Sequence, residues 1–315
     1  MFRSDIPGTN ALLMNVLFCD NPFDNKTVDP DYEDEYMAAK ENGFISHLFS
    51  YEGLIKDKDA DFATRRIKHS EALQKIIYRG WMLKPYQYAL LYNALFAKNY
   101  QLVNSPAEYQ HCHYLPDSYK FISDHTPKTI WLPVENQQVN YDLVYKYIET
   151  FGDAPLIIKD FVKSQKHYWD TACFIPSATD KDQVRSVIEK FVALQNTDLN
   201  EGLVIRKFVT LNDLTIHSKS GMPLKQEYRL FFLNKQLLGC YDYWEEGEYA
   251  ADEQPPLDLF KNIALKVESN FFSMDIAKTK KGEWIIIELG DGQVAGLPDS
   301  VDKLQFYDRV RQTNI

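Results

Sequence analysis

Two acidic residues interrupt two strongly apolar runs late in the chain, and no other feature narrows the fold as far. The segment reads FFSMDIAKTKKGEWIIIELGDGQVAGLP. Phe271–Ala277 and Glu283–Leu289 are rich in aromatic and β-branched residues, and Lys278–Gly282 between them is polar and ends in glycine, which predicts a β-hairpin. A turn centred on Lys280–Lys281 sets Asp275 opposite Ile286 and puts Glu288 two residues further along the same face. The two backbones are then roughly 7–8 Å apart on the diagonal, close enough for two carboxylates to share a cation. Unpaired, they would repel and be costly to bury. Asp291 follows in a Gly-Asp-Gly turn and offers further oxygens, a donor set that suits Mg²⁺. The competing reading is an exposed strand face that happens to carry two acids.

The rest of the chain alternates strands and helices. Leu13–Cys19, Phe44–Phe49 and Lys75–Leu83 read as strands. Asp31–Asn42 reads as an acidic helix closed by Gly43, and Pro85 opens a helix that runs to Lys98. This makes an α/β unit over residues 1–125. The polar, proline-marked stretch His125–Gln138 suggests a boundary, with a second domain over 126–315. There the pattern gives a helix over Tyr141–Thr150, strands at Leu156–Phe161 and Trp169–Ile175, and a helix from Thr179 to Gln195. Strands follow at Gly202–Thr210, Gln226–Leu233 and Gln236–Trp244, then a helix over Leu257–Glu268, the hairpin, and a final helix over Asp299–Arg309. With 45% apolar and 25% charged residues the chain is an ordinary globular one. A net charge of −10 argues against broad nucleic-acid contact. The longest apolar stretch, Ala11–Cys19, is broken by Asn15 and too short to span a bilayer, so no membrane contact is expected. The four cysteines are scattered (Cys19, Cys112, Cys173, Cys240), which fits a reducing, cytoplasmic setting.

Three further segments carry chemistry. Pro155–Trp169 (PLIIKDFVKSQKHYW) ends an apolar strand on Lys159 and continues into a loop with Lys163, Ser164, Lys166 and His167. Such a loop either meets phosphate oxygens or is simply a solvated surface. It is not a P-loop, because no G-x-x-x-x-G-K-[ST] is present. Leu203–Val209 (LVIRKFV) places Arg206 in an apolar strand, where a buried guanidinium needs partners. In Glu227–Phe231 (EYRLF), Glu227 and Arg229 share a face. For both arginines a structural ion pair competes with ligand binding. Arg79, at the end of an N-terminal strand, faces the same choice. His111-Cys112-His113 matches no common zinc spacing.

Lysine strand, basic loop, helix, arginine strand, E-x-R strand and carboxylate hairpin, in that order, resemble the ATP-grasp domain. They are closest to its divergent clade named for two arginines and one lysine, which includes the eukaryotic cell-division-cycle factor that assists assembly of a translation initiation factor. The resemblance covers about Pro155–Pro298, and the preceding unit resembles the pre-ATP-grasp domain of bacterial and phage members. It implies an α/β (α+β) ATP-grasp fold that binds ATP with Mg²⁺ between two lobes. By position, Lys159 would contact phosphates, with Ser164 and Lys166 in the loop covering them. Arg206 and Arg229 would be the named arginines, and Glu227 would belong to the E-x-R motif. The backbone of Leu203–Val209, including Lys207 and Phe208, would meet adenine, although most ATP-grasp enzymes have an acidic hinge there. Asp275 and Glu288 would bind metal. The family's third ligand, an asparagine, is Gly290 here, and Asp291 either replaces it or forms a plain turn. The implied activity is an ATP- and Mg²⁺-dependent carboxylate–amine ligase working through an acyl phosphate. Lys159, Arg206 and Arg229 would serve catalysis, and a peptide or protein would be the substrate. The eukaryotic relative implies the alternative of a non-ligating, nucleotide-dependent assembly factor. A non-catalytic scaffold is a third reading.

Overall fold

Four parallel strands in the order β2-β1-β3-β4 form the first sheet: β1 (Asn15–Cys19), β2 (Ile45–Phe49), β3 (Gln74–Arg79) and β4 (Tyr100–Leu102). The structure is a computed structural model and describes residues 14–249 and 254–313, so Leu13 and the segment before it lie outside the described residues. Val16 to Cys19 are fully buried. A central parallel strand is covered on both faces, which is why its sequence is continuously apolar. Helices α1 (Glu33–Glu41), α2 (Tyr51–Ile55), α3 (Ala60–Ala63) and α4 (Pro85–Phe96) connect the strands. Pro85 stands in the first turn of α4 as the sequence suggests, and Gln87 Oε1 accepts from the Lys84 N–H at 2.8 Å. Strand β3 stops at Arg79 instead of running to Leu83, and Gly80 follows it against the Tyr78 ring.

Arg79 resolves as a structural ion pair. Its guanidinium is 1% exposed and donates from Nε and Nη2 to Glu35 at 2.9 and 2.8 Å. The Tyr307 hydroxyl donates to the same carboxylate at 3.0 Å. Tyr307 belongs to the last helix of the chain, Lys303–Gln312, so this helix closes the first unit. By contacts the chain divides into one unit over Met1–Pro106 and Asp302–Ile315 and another over Ala107–Val301. The suggested boundary at 125/126 falls inside the second of these, and the last helix returns to the first.

The second unit opens with α5 (Pro106–His113) and α6 (Leu115–Ile122) and contains, among the described residues, two four-stranded antiparallel sheets. The first has the order β5-β8-β6-β7, from β5 (Thr129–Pro133), β6 (Leu156–Asp160), β7 (Phe174–Ile175) and β8 (Gly202–Lys207). Helices α7 (Tyr141–Ile148) and α8 (Lys181–Gln195) pack on one of its faces. Val184, Val187, Ile188, Phe191 and Val192 of α8 join Ile158, Leu203 and Ile205 in the core there. β5 lies in the proline-marked stretch that the sequence suggests as a boundary. As an edge strand it tolerates Pro133, whose missing N–H is not needed by a neighbour. Trp169–Cys173 is a helical turn with π-type bonding, leaving only Phe174–Ile175 as strand.

A short ribbon, β9 (Asp213–Ile216) with β10 (Pro223–Lys225), precedes the second sheet. That sheet has the order β12-β11-β13-β14, from β11 (Glu227–Leu233), β12 (Gln236–Asp242), β13 (Phe271–Lys278) and β14 (Trp284–Asp291). One face of it buries Tyr228, Leu230, Phe232, Phe272, Met274, Ile276 and Leu289 against α5, α6 and α9 (Leu257–Ala264). Side chains alternate along strands, so Glu227, Arg229, Asp275 and Glu288 lie on the opposite face.

Candidate functional site

The hairpin forms, but not in the expected register. From the turn, Lys278 pairs Trp284, Ala277 pairs Ile285 and Ile276 pairs Ile286; the register then shifts, and Asp275 pairs Glu288. The two carboxylates are therefore directly opposed and not diagonal. Arg229 pairs Asp275 from the other side, so Arg229, Asp275 and Glu288 stand in a row across three strands. Arg229 holds Asp275 through two bonds, Nε to Oδ1 and Nη2 to Oδ2, both 2.7 Å. Lys159, on β6 of the other sheet, meets the far end of the row with its Nζ 3.1 Å from Glu288 Oε2. Cation, carboxylate, carboxylate, cation is the resulting sequence of charges.

Lys159 is buried because it lies in a central strand, opposite Val204. The chain then turns back, and Ser164 bridges Lys159. Asp160 shapes this turn, and no local sequence signal singles it out. It is fully buried and accepts five hydrogen bonds. The Val162 and Lys163 N–H groups donate to Oδ1. Gln195 Nε2, Asn200 N and Asn200 Nδ2 donate to Oδ2. Lys166 follows on the exposed side of the loop.

The charges act on one another. Burial alone would raise Glu288, but Lys159 and Lys166, with Arg229, push its carboxyl down to about 2. Burial lifts Asp275, Glu288 adds to the rise, and Arg229 opposes both. Desolvation would lower the Lys166 ammonium; Glu288 and Glu227 outweigh it, and the net shift is upward. Burial raises Glu227 to about 7, with Lys166 working against it.

Arg206 is 6% exposed and has turned to neutral acceptors. Nη1 donates to the Ile287 carbonyl at 2.5 Å, and Nη2 donates to Thr126 Oγ1 at 2.5 Å and to the Ile286 carbonyl at 3.1 Å. The ion pair that the sequence allows for it does not form among the described residues. Burial lowers its pKa to about 10. The Lys207 and Phe208 N–H groups are committed to the Lys128 and Pro155 carbonyls. What this edge offers instead is a set of rings, in which the Phe208 side chain is joined by Trp169 and Phe174, two residues that no motif singles out. Trp169 and Phe174 stack at 5.3 Å, and Phe208 meets both edge-on. Phe174 pairs Ile157, which shares a face with Lys159.

Asp291 does not join the acids. It pairs Phe272, on the face that packs against the helices, and is 1% exposed. Its Oδ1 accepts from the Gln293 N–H at 2.9 Å, so the turn reading holds. Gly290 does lie on the site face, where a side chain would meet Ser273 Oγ. Among the described residues no group of three or more His, Cys, Asp or Glu is arranged to hold a metal. The His111-Cys112-His113 segment is structural as well. His111 Nε2 accepts from the Glu268 N–H at 3.1 Å, and His113 stacks on Tyr109 and Tyr114.

Beside Arg229 lies a cavity of about 370 Å³, walled by Tyr243, Trp244, His217, Glu245, Glu246 and Asp299 among others. Glu246 accepts from the Ser218 N–H and hydroxyl, both at 2.7 Å, which ties the β9–β10 ribbon to this wall. Among the described residues no group bonds the buried Trp244 Nε1.

Family 3 of the ATP-grasp clade named for two arginines and one lysine matches residues 150–310. No curated protein matches the chain. Among solved structures it is similar to a RimK domain ATP-grasp protein from Sphaerobacter thermophilus, with 11% identity, TM-score 0.58, and 95% of this chain and 98% of that one covered. It is similar to the ATP-grasp ligase PsnB complexed with a minimal precursor, Mg and ADP, with 13% identity, TM-score 0.54, and coverage of 94% and 97%. It is also similar to D-alanine–D-alanine ligase from Bacillus anthracis complexed with ATP, with 15% identity, TM-score 0.54, and coverage of 97% for each chain. The fold is that of ATP-grasp ligases, with the N-terminal α/β unit included in the match. Among the described residues no helix is long and apolar enough to cross a membrane.

Proposed function

The chain belongs to family 3 of the two-arginine, one-lysine clade of ATP-grasp domains, and on that premise we propose that it is an ATP- and Mg²⁺-dependent carboxylate–amine ligase. It would act through an acyl phosphate, with a peptide or protein carrying one reacting group. The observation that carries this reading is the row Arg229, Asp275, Glu288, Lys159, with two cations and two carboxylates in contact. Two opposed carboxylates suit Mg²⁺, which binds through one or two carboxylates and fills its shell with water and phosphate oxygens. Asp275 and Glu288 would hold it, and when bound it would neutralise phosphate charge. Lys159, 3.1 Å from Glu288, would exchange it for a phosphate oxygen and release that carboxylate. Lys166 and the Ser164 hydroxyl would close over the phosphates from the loop that Asp160 holds. Trp169, Phe174 and Phe208 would give the base an apolar wall.

Chemically, a substrate carboxylate oxygen attacks the γ-phosphorus, the bond to the β-phosphate oxygen breaks, and ADP leaves. The amine nitrogen then attacks the acyl carbon, the C–O bond to phosphate breaks, and the amine loses a proton. Arg229 would stabilise the developing charge; an arginine stays protonated and does not take the proton. Glu227 lies on the same face two residues away and titrates near neutrality, so it would accept it. The cavity beside Arg229 would seat the acceptor, and Glu245, Glu246 and Asp299 on its wall favour an amine-bearing one.

Titration of ATP with and without Mg²⁺, on the wild type and on Lys159→Ala, tests nucleotide binding. Unchanged affinity in the folded variant refutes the assignment. Incubation with peptides bearing free carboxylates and amines, read by mass spectrometry, tests ligation. ADP release without a covalent product would point to an assembly factor instead.

A further inference from the structure

We propose that Arg206 is a positioning residue that holds Glu288 on the site face by clamping a β-bulge, and that it does not bind phosphate. The proposal rests on the reading above only in taking Asp275 and Glu288 as the metal carboxylates. The turn-side pairing of the hairpin, continued without interruption, would set Asp275 against Ile287 and turn Glu288 to the opposite, helix-packed face, because one residue of slip reverses every side chain. The shift between Asp275 and Ile276 prevents this. It leaves Ile287 with no partner in the ladder and brings Glu288 against Asp275. Bulges re-aim side chains in this way, at the cost of a broken ladder.

Arg206 is spent on that break. Its two terminal nitrogens take the carbonyls of Ile287, the extra residue, and of Ile286. Thr126 completes the clamp: its hydroxyl donates to the Ile286 carbonyl at 2.7 Å and accepts from Arg206 at 2.5 Å. β14 is an edge strand, so among the described residues no further strand supplies donors to these carbonyls. A planar fork bonds two carbonyls and a hydroxyl together, which a lysine does not reproduce. The guanidinium is buried and its bonds run to the backbone that aims Glu288, while Lys159 and Lys166 remain beside the carboxylates to meet an anion.

The test compares the wild type with Arg206→Met, Arg206→Lys and Thr126→Val. ATP affinity is measured by calorimetry in EDTA and in saturating Mg²⁺, Mn²⁺ binding by electron paramagnetic resonance, and backbone exchange of residues 285–289 by mass spectrometry. For Arg206→Met the expected result is ATP affinity in EDTA within about twofold of wild type, about a tenfold loss in the gain conferred by Mg²⁺, weaker Mn²⁺ binding and faster exchange at 285–289. Arg206→Lys should recover only part of each. An equal loss of ATP affinity in EDTA and in Mg²⁺ would make Arg206 a phosphate ligand and overturn the proposal, as would unchanged exchange. Should Arg206→Met not fold, Thr126→Val carries the test: a smaller loss in the Mg²⁺ gain with faster exchange supports the clamp, and wild-type behaviour in both overturns it. A wild type whose ATP affinity ignores Mg²⁺ defeats the metal reading itself, a result separable from a variant that responds to Mg²⁺ as the wild type does.

Discussion

Asp160 gives the most quantitative handle on the phosphate loop. Its carboxylate serves five donors: the Val162 and Lys163 N–H at 2.7 and 2.5 Å, and Gln195 Nε2, Asn200 N and Asn200 Nδ2 at 3.0, 3.2 and 2.8 Å. Asp160→Asn keeps the shape and one oxygen. If that oxygen stays with the two loop amides, the new NH₂ faces three donors. The amides of Gln195 and Asn200 can turn over and accept, but the Asn200 main-chain N–H cannot. One unsatisfied buried donor costs about 1–3 kcal/mol. Asp160→Ala strands three main-chain donors, two of them in a half-exposed turn that water reaches, so about 3–5 kcal/mol is expected. Urea unfolding gives these values, and amide exchange at residues 162, 163 and 200 locates the damage. Because the loop carries Ser164 and Lys166, the alanine variant should also bind ATP about tenfold more weakly, which is about 1.4 kcal/mol. An alanine variant that loses less than about 1 kcal/mol, with ATP affinity within about twofold of wild type, would refute the reasoning.

Asp275→Ala and Glu288→Ala should each raise the Mg²⁺ needed for ATP binding, whereas Asp291→Ala should leave it unchanged and instead lower stability by about 1–3 kcal/mol, since it uncaps a buried turn; Mg²⁺ titration and thermal unfolding separate the two classes. Glu227, raised to about 7, keeps a proton in the folded chain that the unfolded chain has already lost. Stability should therefore fall as pH rises from about 4.5 to about 7, and Glu227→Gln should flatten that slope in urea titrations and remove the acid limb of any ligase rate profile. Glu35→Gln leaves Arg79 charged and buried without its partner and should cost about 3–5 kcal/mol; Tyr307→Phe removes one bond to the same carboxylate and should cost about 1 kcal/mol by the same denaturation assay.

Strong periodicity made much of the scaffold legible. The apolar stripe of Val184, Ile188 and Phe191 marks α8, and the paired apolar runs mark β13 and β14. What local pattern does not carry is register. The bulge at Ile287 depends on Arg206 and Thr126, residues far away in sequence, so Asp275 and Glu288 could be placed in one hairpin but not set face to face. Asp291 fails for the same reason: past the bulge, counting in twos from Glu288 leaves it on the packed face. β5 was hidden because Thr129–Pro133 is short and contains proline, and only pairing with β8 makes it a strand. Arg79 and Arg206 were visible as arginines in apolar surroundings, yet nothing in a linear sequence says whether a carboxylate or a carbonyl will be waiting for them.

The placement of the last helix bears on how the chain is made. A ribosome releases Met1–Pro106 first, and Tyr307, which bonds Glu35 beside Arg79, comes only after all of Ala107–Val301. At about 5–20 residues per second, that interval is on the order of 10–40 s. Throughout it, the Glu35–Arg79 pair lacks its hydroxyl and Phe44 lacks the Tyr307 ring that packs on it edge-on. Vectorial synthesis thus completes the second unit before the first, whose closing helix arrives after all of Ala107–Val301.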